Sequence, residues 1–271
     1  MTHATRGLTF RSLDGLTLHG TLVEPTTVSG KAVVLVHSGG ATREETGFFT
    51  RVATGLAEAG LPSLRFDLCG HGESEGRQED LTLAGIVNDI RVAVEHVREV
   101  TSSGPVGLIG ASFSGGLCAY YTTRYPATVA KIVLLNPLLN YKKRFVEDKP
   151  YWQNEHIDAE AGQELATNGF IPHNPNFKLG RALFNEVFYL QPHLAVPELQ
   201  VPTLFVHGTK DTFVPVESSR TYSAQVPGAE LLEIPGAQHG FAVMDDPQYA
   251  NPQSQAWQAE VIASVASWLK Q

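Results

Sequence analysis

From residue 31 to residue 137, short runs rich in β-branched and other apolar residues take turns with stretches of helical spacing. "KAVVLVH" is followed by "FFTRVATGLAEAG", which Gly60 can close; then come "LPSLRFDL", "LTLAGIVNDIRVAVEHVREV", "GPVGLIG", "FSGGLCAYYTTRY" and "VAKIVLLNP". A run without polar alternation reads as a strand buried on both faces, and such strands belong to parallel sheets covered by helices. In the longest helical stretch Ile86, Ile90, Val94 and Val97 share one stripe. Strand and helix in this order predict an α/β fold, a mostly parallel sheet with helices on both faces and right-handed crossovers. Ahead of it "LTFRS" and "LTLHGTLVEP" alternate about "LDG", the signature of an antiparallel edge hairpin.

The alternation stops at about Leu138. Up to Pro197 there is no β-rich run, several prolines interrupt the spacing, and aromatics such as Tyr141, Phe145, Trp152, Phe177, Phe184 and Phe188 accumulate. The sheet pattern resumes with "VPTLFVHG" and "AELLEIPG" and ends in the helix "QAWQAEVIASVASWLK". The reading is one core domain, residues 1–137 and 197–271, with residues 138–196 inserted as a helical lid over the strand ends. Ordinary packing accounts for most of the lid aromatics, and a subset is expected to face a substrate.

In a sheet of this kind ligands gather beyond the carboxyl ends of the strands. "LIGASFSGGL", residues 108–117, is such an end, and it holds two serines. A serine projects above the sheet only from a sharp strand-to-helix turn, which needs small residues two positions before and after it. Gly110-x-Ser112-x-Ser114 and Ser112-x-Ser114-x-Gly116 both satisfy the spacing. Strand register separates them, because the strand runs to Gly110, leaving Ser112 at the turn and Ser114 inside the helix. Ser112 is therefore the expected nucleophile. Phe113 becomes the first helical residue, with its backbone N–H available to an oxyanion. A dinucleotide fingerprint would want glycine at position 112 and a carboxylate about 20 residues on; the stretch there is "KIVLLNP", so no nucleotide cofactor is expected.

An activated serine needs a base, and the base an orienting carboxylate. Asp211 follows the strand in "VPTLFVHGTKDTFVP", and His239 follows the next one in "AELLEIPGAQHGF". Three suitable residue types at three strand ends, in the order Ser, Asp, His, make a triad. Asp67, Asp245 and Asp246 are rival acids, and His71 and His207 rival bases. His207 is expected to support Asp211, and His71 to fix a loop at the site's border. The second oxyanion donor is expected from "VHSGGATRE", where Gly39 and Gly40 both qualify.

Composition narrows the partners. With 20 Lys+Arg against 28 Asp+Glu the formal charge is −8, which opposes binding to nucleic acid or anionic lipid. No apolar run reaches the roughly 20 residues of a membrane span, and the start lacks the order of a signal peptide, so a cytoplasmic location is expected. Cys69 and Cys118 lie in no ligand or redox motif, and the ten histidines show no metal-binding spacing, so reduced thiols and no metal are expected.

"VLVHSGG", "LRFDLCGHGESEG", "LIGASFSGG", "LFVHGTKDTFVP" and "PGAQHGF" together resemble the α/β-hydrolase superfamily, serine carboxylesterase type, over nearly the whole chain. Length, the "GHGESEG" loop and the aromatic insertion are similar to bacterial cinnamoyl and feruloyl esterases. The Ala-Ser-x-Ser elbow is similar to the acyl-carrier thioesterase of bacterial luminescence systems. Ser38, Cys69 and Ser114 depart from the usual glycine, arginine and glycine. The resemblance implies Ser112, Asp211 and His239 as nucleophile, acid and base, and cleavage of an ester of a hydrophobic or aromatic acid. The alternative is a thioesterase, for which "YKKRF", residues 141–145, could meet an acyl carrier protein. The expected substrate is thus a small ester or thioester, and a homodimer stays open.

Overall fold

Residues 3–271 are described by a computed structural model. The edge hairpin is β1 (His3–Arg11) and β2 (Thr17–Pro25), turned at Asp14-Gly15 where Gly15 takes φ of +91°. The buried apolar runs are β3 (Val33–Val36), β4 (Ser63–Phe66), β5 (Val106–Ala111) and β6 (Val129–Leu135). Between them run α1 (Phe48–Glu58), α2 (Leu83–Val100) and α3 (Phe113–Arg124). Gly60, in the left-handed region at +82°, ends the first of these helices, as its position in the sequence suggested. After the inserted segment come β11 (Thr203–Gly208), α7 (Val216–Ser223), β12 (Glu230–Ile234) and α8 (Pro252–Lys270).

The eight sheet strands lie in the order β1-β2-β4-β3-β5-β6-β11-β12. From β4 onward every pairing is parallel, whereas β1 and β2 add antiparallel strands at one edge. Two apolar layers follow. One face packs Ile86, Ile90, Val94 and Val97 of α2 and Leu117 of α3 against the sheet, and the other packs Phe49, Val52 and Leu56 of α1 and Val261 and Val265 of α8. The carboxyl ends of β3, β5, β11 and β12 consequently lie along one edge of the parallel sheet.

The segment between β6 and β11 departs from the expected helical lid in one respect. It does contain α4 (Ala159–Asn168), α5 (Arg181–Glu186), α6 (Pro192–Ala195) and a π-helical turn at Lys143–Glu147. It also carries two short antiparallel hairpins that periodicity did not reveal: β7 (Trp152–Gln153) with β8 (His156–Ile157), and β9 (Phe170–Asn174) with β10 (Phe177–Gly180). Strands this short offer no alternating run long enough to recognise. Tyr141, Phe145, Phe177 and Phe184 are buried in the same layer as α2 and α3, while Tyr189 stands 90 % exposed. The insertion is thus packed into the core through its aromatics.

Candidate active site

The turn from β5 into α3 is tight because two backbones approach where a Cβ has no room. A Cβ on Gly110 would stand 2.7 Å from Cys118 Sγ, and one on Gly115 would stand 2.6 Å from Pro137 Cβ. Ser112 occupies the apex at φ +47° and ψ −115°, a region that costs a residue with a side chain about 1–3 kcal/mol. Its carbonyl oxygen accepts from Leu138 N–H at 2.8 Å and Gly115 N–H at 3.0 Å, and its own N–H donates to Leu135 O at 2.8 Å. The strained turn is held from both sides. Ser114 is buried at the second position of the helix, and its hydroxyl donates to the His37 carbonyl. That bond ties α3 to the end of β3 and keeps Ser114 from any substrate.

Three loops bring the expected partners to Ser112. His239 follows β12, and its Nε2 lies 2.8 Å from Ser112 Oγ. Its Nδ1 lies 2.6 Å from Asp211 Oδ2, an acceptor only, so the proton resides on Nδ1 and Nε2 is left to accept from the serine. Asp211 follows β11. Its Oδ1 accepts from the N–H groups of Phe213 at 2.8 Å and Val214 at 2.9 Å. Burial pushes the Asp211 pKa up, but hydrogen bonds from His207 and His239 and from Val214 N–H outweigh it and hold the carboxyl far below the usual range. The acid is kept ionised next to the imidazole. Phe213 stacks on the His239 ring at 5.4 Å between centroids.

The loop after β3 supplies backbone N–H groups at 38–41, and three are already engaged. Ser38 N–H donates to Glu45 Oε2 at 2.8 Å, Gly40 N–H to His71 Nε2 at 3.1 Å and Ala41 N–H to Ser38 O at 3.2 Å. Of the two glycines expected to offer the oxyanion donor, Gly40 has its N–H engaged by the His71 imidazole. Gly39 keeps a free N–H, and Phe113, first residue of α3, has the free N–H that every helix start leaves. Phe177 covers Gly39 so closely that a Cβ there would meet its ring at 2.7 Å.

The rival residues have other work. Asp67 is fully buried and accepts from the Arg43 guanidinium, from Arg43 N–H at 2.7 Å and from Glu73 N–H at 3.0 Å. Asp246 accepts from Ala250 and Asn251 N–H ahead of α8, and Asp245 has φ of +60° in the same loop. His207 places Nε2 2.8 Å from Val214 O and 3.3 Å from Asp211 Oδ2, so it braces the acid loop. His71 donates from Nδ1 to Cys69 O at 3.1 Å while accepting from Gly40, and burial lowers its pKa. A neutral ring is the only form that can make both bonds. Cys69 and Cys118 are free thiols.

Sequence reasoning missed Glu45. Its carboxylate takes both the N–H and the hydroxyl of Ser38, from a backbone at φ +45°, and burial raises its pKa against those bonds and the nearby His239. The signal available was Ser38 itself, a hydroxyl where glycine is usual, which calls for an acceptor. Among the described residues no helix is long and apolar enough to cross a membrane.

Comparison with known proteins now has a geometry to attach to. Residues 29–155 match the serine aminopeptidase S33 family, and residues 162–271 match the dienelactone hydrolase family. The monoacylglycerol lipase of Mycolicibacterium smegmatis is 27 % identical over 96 % of this chain and 95 % of its own. Est1E of Butyrivibrio proteoclasticus, solved with ferulic acid bound, superposes with a TM-score of 0.76 at 21 % identity, covering 96 % of this chain and 99 % of that one. A monoacylglycerol lipase from Paleococcus ferrophilus superposes at 0.66 and 20 % identity, over 100 % and 99 %. The chain has the α/β-hydrolase fold, and two stretches of it match two hydrolase families.

Proposed function

We propose that Ser112, His239 and Asp211 hydrolyse a carboxylic ester of a hydrophobic or aromatic acid through an acyl-enzyme. The observation that carries this is the continuous relay from Ser112 Oγ to His239 Nε2 and from His239 Nδ1 to Asp211 Oδ2, at 2.8 and 2.6 Å. His239 takes the serine proton as Oγ attacks the carbonyl carbon, and the oxyanion receives the N–H groups of Phe113 and Gly39. His239 then protonates the leaving alkoxide, and a water activated by the same imidazole releases the acid. Asp211 stays ionised throughout and stabilises the imidazolium. Phe177 and Phe113, whose rings meet at 5.0 Å, and Phe145, 6.0 Å from Phe113, supply the apolar wall for the acyl group. Residues 138–196 act as the lid that brings two of those rings. Ferulic acid, the ligand bound to Est1E, is an aromatic acid of this kind.

The thioesterase reading leaned on "YKKRF", and there the structure offers less charge than the sequence. Lys142 pairs with Glu155 and Lys143 with Asp148, which leaves a weak basic face for an acidic carrier protein. The test is kcat/KM for one acyl group presented as an aryl oxygen ester and as carrier-protein thioester, with Ser112→Ala as control. The expected result is a preference for the oxygen ester that Ser112→Ala abolishes. A carrier-dependent preference for the thioester overturns the ester assignment, and activity that survives Ser112→Ala overturns the relay.

A further inference from the structure

Gly39 N–H belongs to the same planar peptide as the Ser38 carbonyl, so whatever fixes that plane aims the donor. The Ser38 carbonyl accepts from His37 Nδ1 at 2.8 Å and from Ala41 N–H at 3.2 Å. His37 is fully buried, and its Nε2 accepts from Leu68 N–H at 3.0 Å. Burial brings its pKa down to about 3, so the ring is neutral and its one proton sits on Nδ1. Glu45 holds the other side of Ser38. One carboxylate oxygen accepts from Ser38 N–H at 2.8 Å, and the other accepts from the Ser38 hydroxyl. With Gly40 N–H held by His71, the peptides before and after the Gly39 donor both have fixed partners.

Glu45 reaches back seven residues to Ser38 from an unusual backbone. Glu45, Thr46 and Gly47 take φ of +45°, +52° and +80° in succession, and two of the three carry side chains. Left-handed positions of that kind persist where the surroundings over-determine them, and they gather at functional sites. Here Glu45 N–H donates to Thr42 O at 2.9 Å, Phe48 N–H donates to Glu45 O at 3.0 Å, and the run opens directly into α1. The Phe48 ring lies 6.0 Å from Phe241 and 6.5 Å from Tyr249, in the loop that carries His239. The segment thus meets the donor loop through Glu45 and the base loop through Phe48. A glycine at position 38 would offer Glu45 one bond; serine offers two.

We propose that Glu45, acting through Ser38, is a positioning residue that aims Gly39 N–H at the oxyanion. This rests on the acyl-enzyme reading above. The carboxylate fixes the N–H and the side chain of Ser38, His37 fixes its carbonyl, and the peptide between Ser38 and Gly39 keeps one orientation. The reaction uses the geometry of this contact rather than its charge. A glutamine at position 45 can accept from Ser38 N–H through its oxygen and donate through its nitrogen to Ser38 Oγ, a hydroxyl able to accept.

Glu45→Ala, Glu45→Gln, Ser38→Ala and the double alanine variant test this. Glu45→Ala is expected to lower kcat for an aryl ester about 10- to 100-fold with KM changed less than about threefold, because the loosened donor acts in the transition state. Glu45→Gln is expected to restore the rate to within about threefold of the starting protein. An arylboronic acid becomes a tetrahedral anion when its boron takes up Ser112 Oγ and the proton passes to His239. Its affinity is expected to fall in Glu45→Ala by the same factor as kcat/KM and to return in Glu45→Gln. Ser38→Ala is expected to cost less than Glu45→Ala, and Glu45→Ala to cost less in that background than alone. Should Glu45→Ala not fold, Ser38→Ala carries the comparison with Glu45→Gln. Hydrogen exchange of residues 37–47, read by mass spectrometry without substrate, is expected to quicken in Glu45→Ala and not in Glu45→Gln. A rise in KM at constant kcat, or a loss that Glu45→Gln does not restore, overturns the positioning role. If Ser112 cleaves esters and neither rate nor exchange responds to Glu45→Ala, the positioning is wrong and the ester reading stands. If no ester is cleaved and no boronate binds, yet exchange quickens in Glu45→Ala and returns in Glu45→Gln, Glu45 fixes the loop and the ester reading fails.

Discussion

The end of the sheet and the inserted segment treat polar atoms in opposite ways. At the sheet end every polar group of the relay has a partner: Ser112 Oγ, both nitrogens of His239, both oxygens of Asp211, both nitrogens of His207. Six buried side-chain polar atoms lack a partner among the described residues, and three of them, on Trp152, His173 and His193, lie in the short stretch between β6 and β11. Groups that must hold one geometry through a reaction are fixed by the protein itself, because reorganising them during the reaction would raise the barrier.

The sharpest break in that comparison is at Ser112. Ser112→Ala is expected to lower kcat/KM by about a thousandfold to a millionfold, and adding His239→Ala to cost little more, because the three residues act as a unit. Ser112→Gly is expected to be equally inactive and yet no less stable. Relief of the positive φ is worth about 1–3 kcal/mol and the added backbone freedom costs about 0.5–1 kcal/mol. Chemical denaturation of the two variants decides: a glycine variant less stable than the alanine one would mean the turn stores no strain.

What the sequence made legible follows the same divide. Buried runs, helical stripes and turn glycines recur with fixed periods, so the order of sheet and helix from β1 to β6 could be read directly. Ser112, Asp211 and His239 were legible because strand ends fix where a loop residue must lie. That Gly40 N–H is engaged is not legible, since its acceptor is His71, 31 residues further along the chain. Glu45 was hidden for a like reason: its role depends on a left-handed backbone that no pattern announces. The hairpins at 152–157 and 170–180 were illegible because strands of two to five residues carry too few alternations.

His71 tests whether the loop after β3 belongs with the fixed region. Its ring spends both nitrogens on backbone, at Gly40 N–H and Cys69 O. His71→Phe keeps the bulk and removes the acceptor. The Gly40 peptide is then free to rotate, and Gly39 with it. The expected outcome is a roughly 10- to 100-fold fall in kcat with KM nearly unchanged, since the lost interaction is one made in the transition state. A rise in KM at constant kcat would instead assign His71 to substrate binding.

The smallest effect is on acid stability, and its sign follows from Asp211. Its carboxyl is held below the ordinary value of about 3.9, so the folded protein keeps it ionised where the unfolded chain would protonate it. The stabilisation is fully present above about pH 5 and is lost as pH falls toward the folded value, at no more than about 1.4 kcal/mol per pH unit. Asp211→Asn removes that dependence. The unfolding free energy of the variant is expected to start lower at pH 7, where His239 and His207 lose a charged acceptor, and to fall less steeply between pH 5 and pH 3. Parallel slopes for the two proteins would mean the depressed carboxylate stabilises the relay without stabilising the fold.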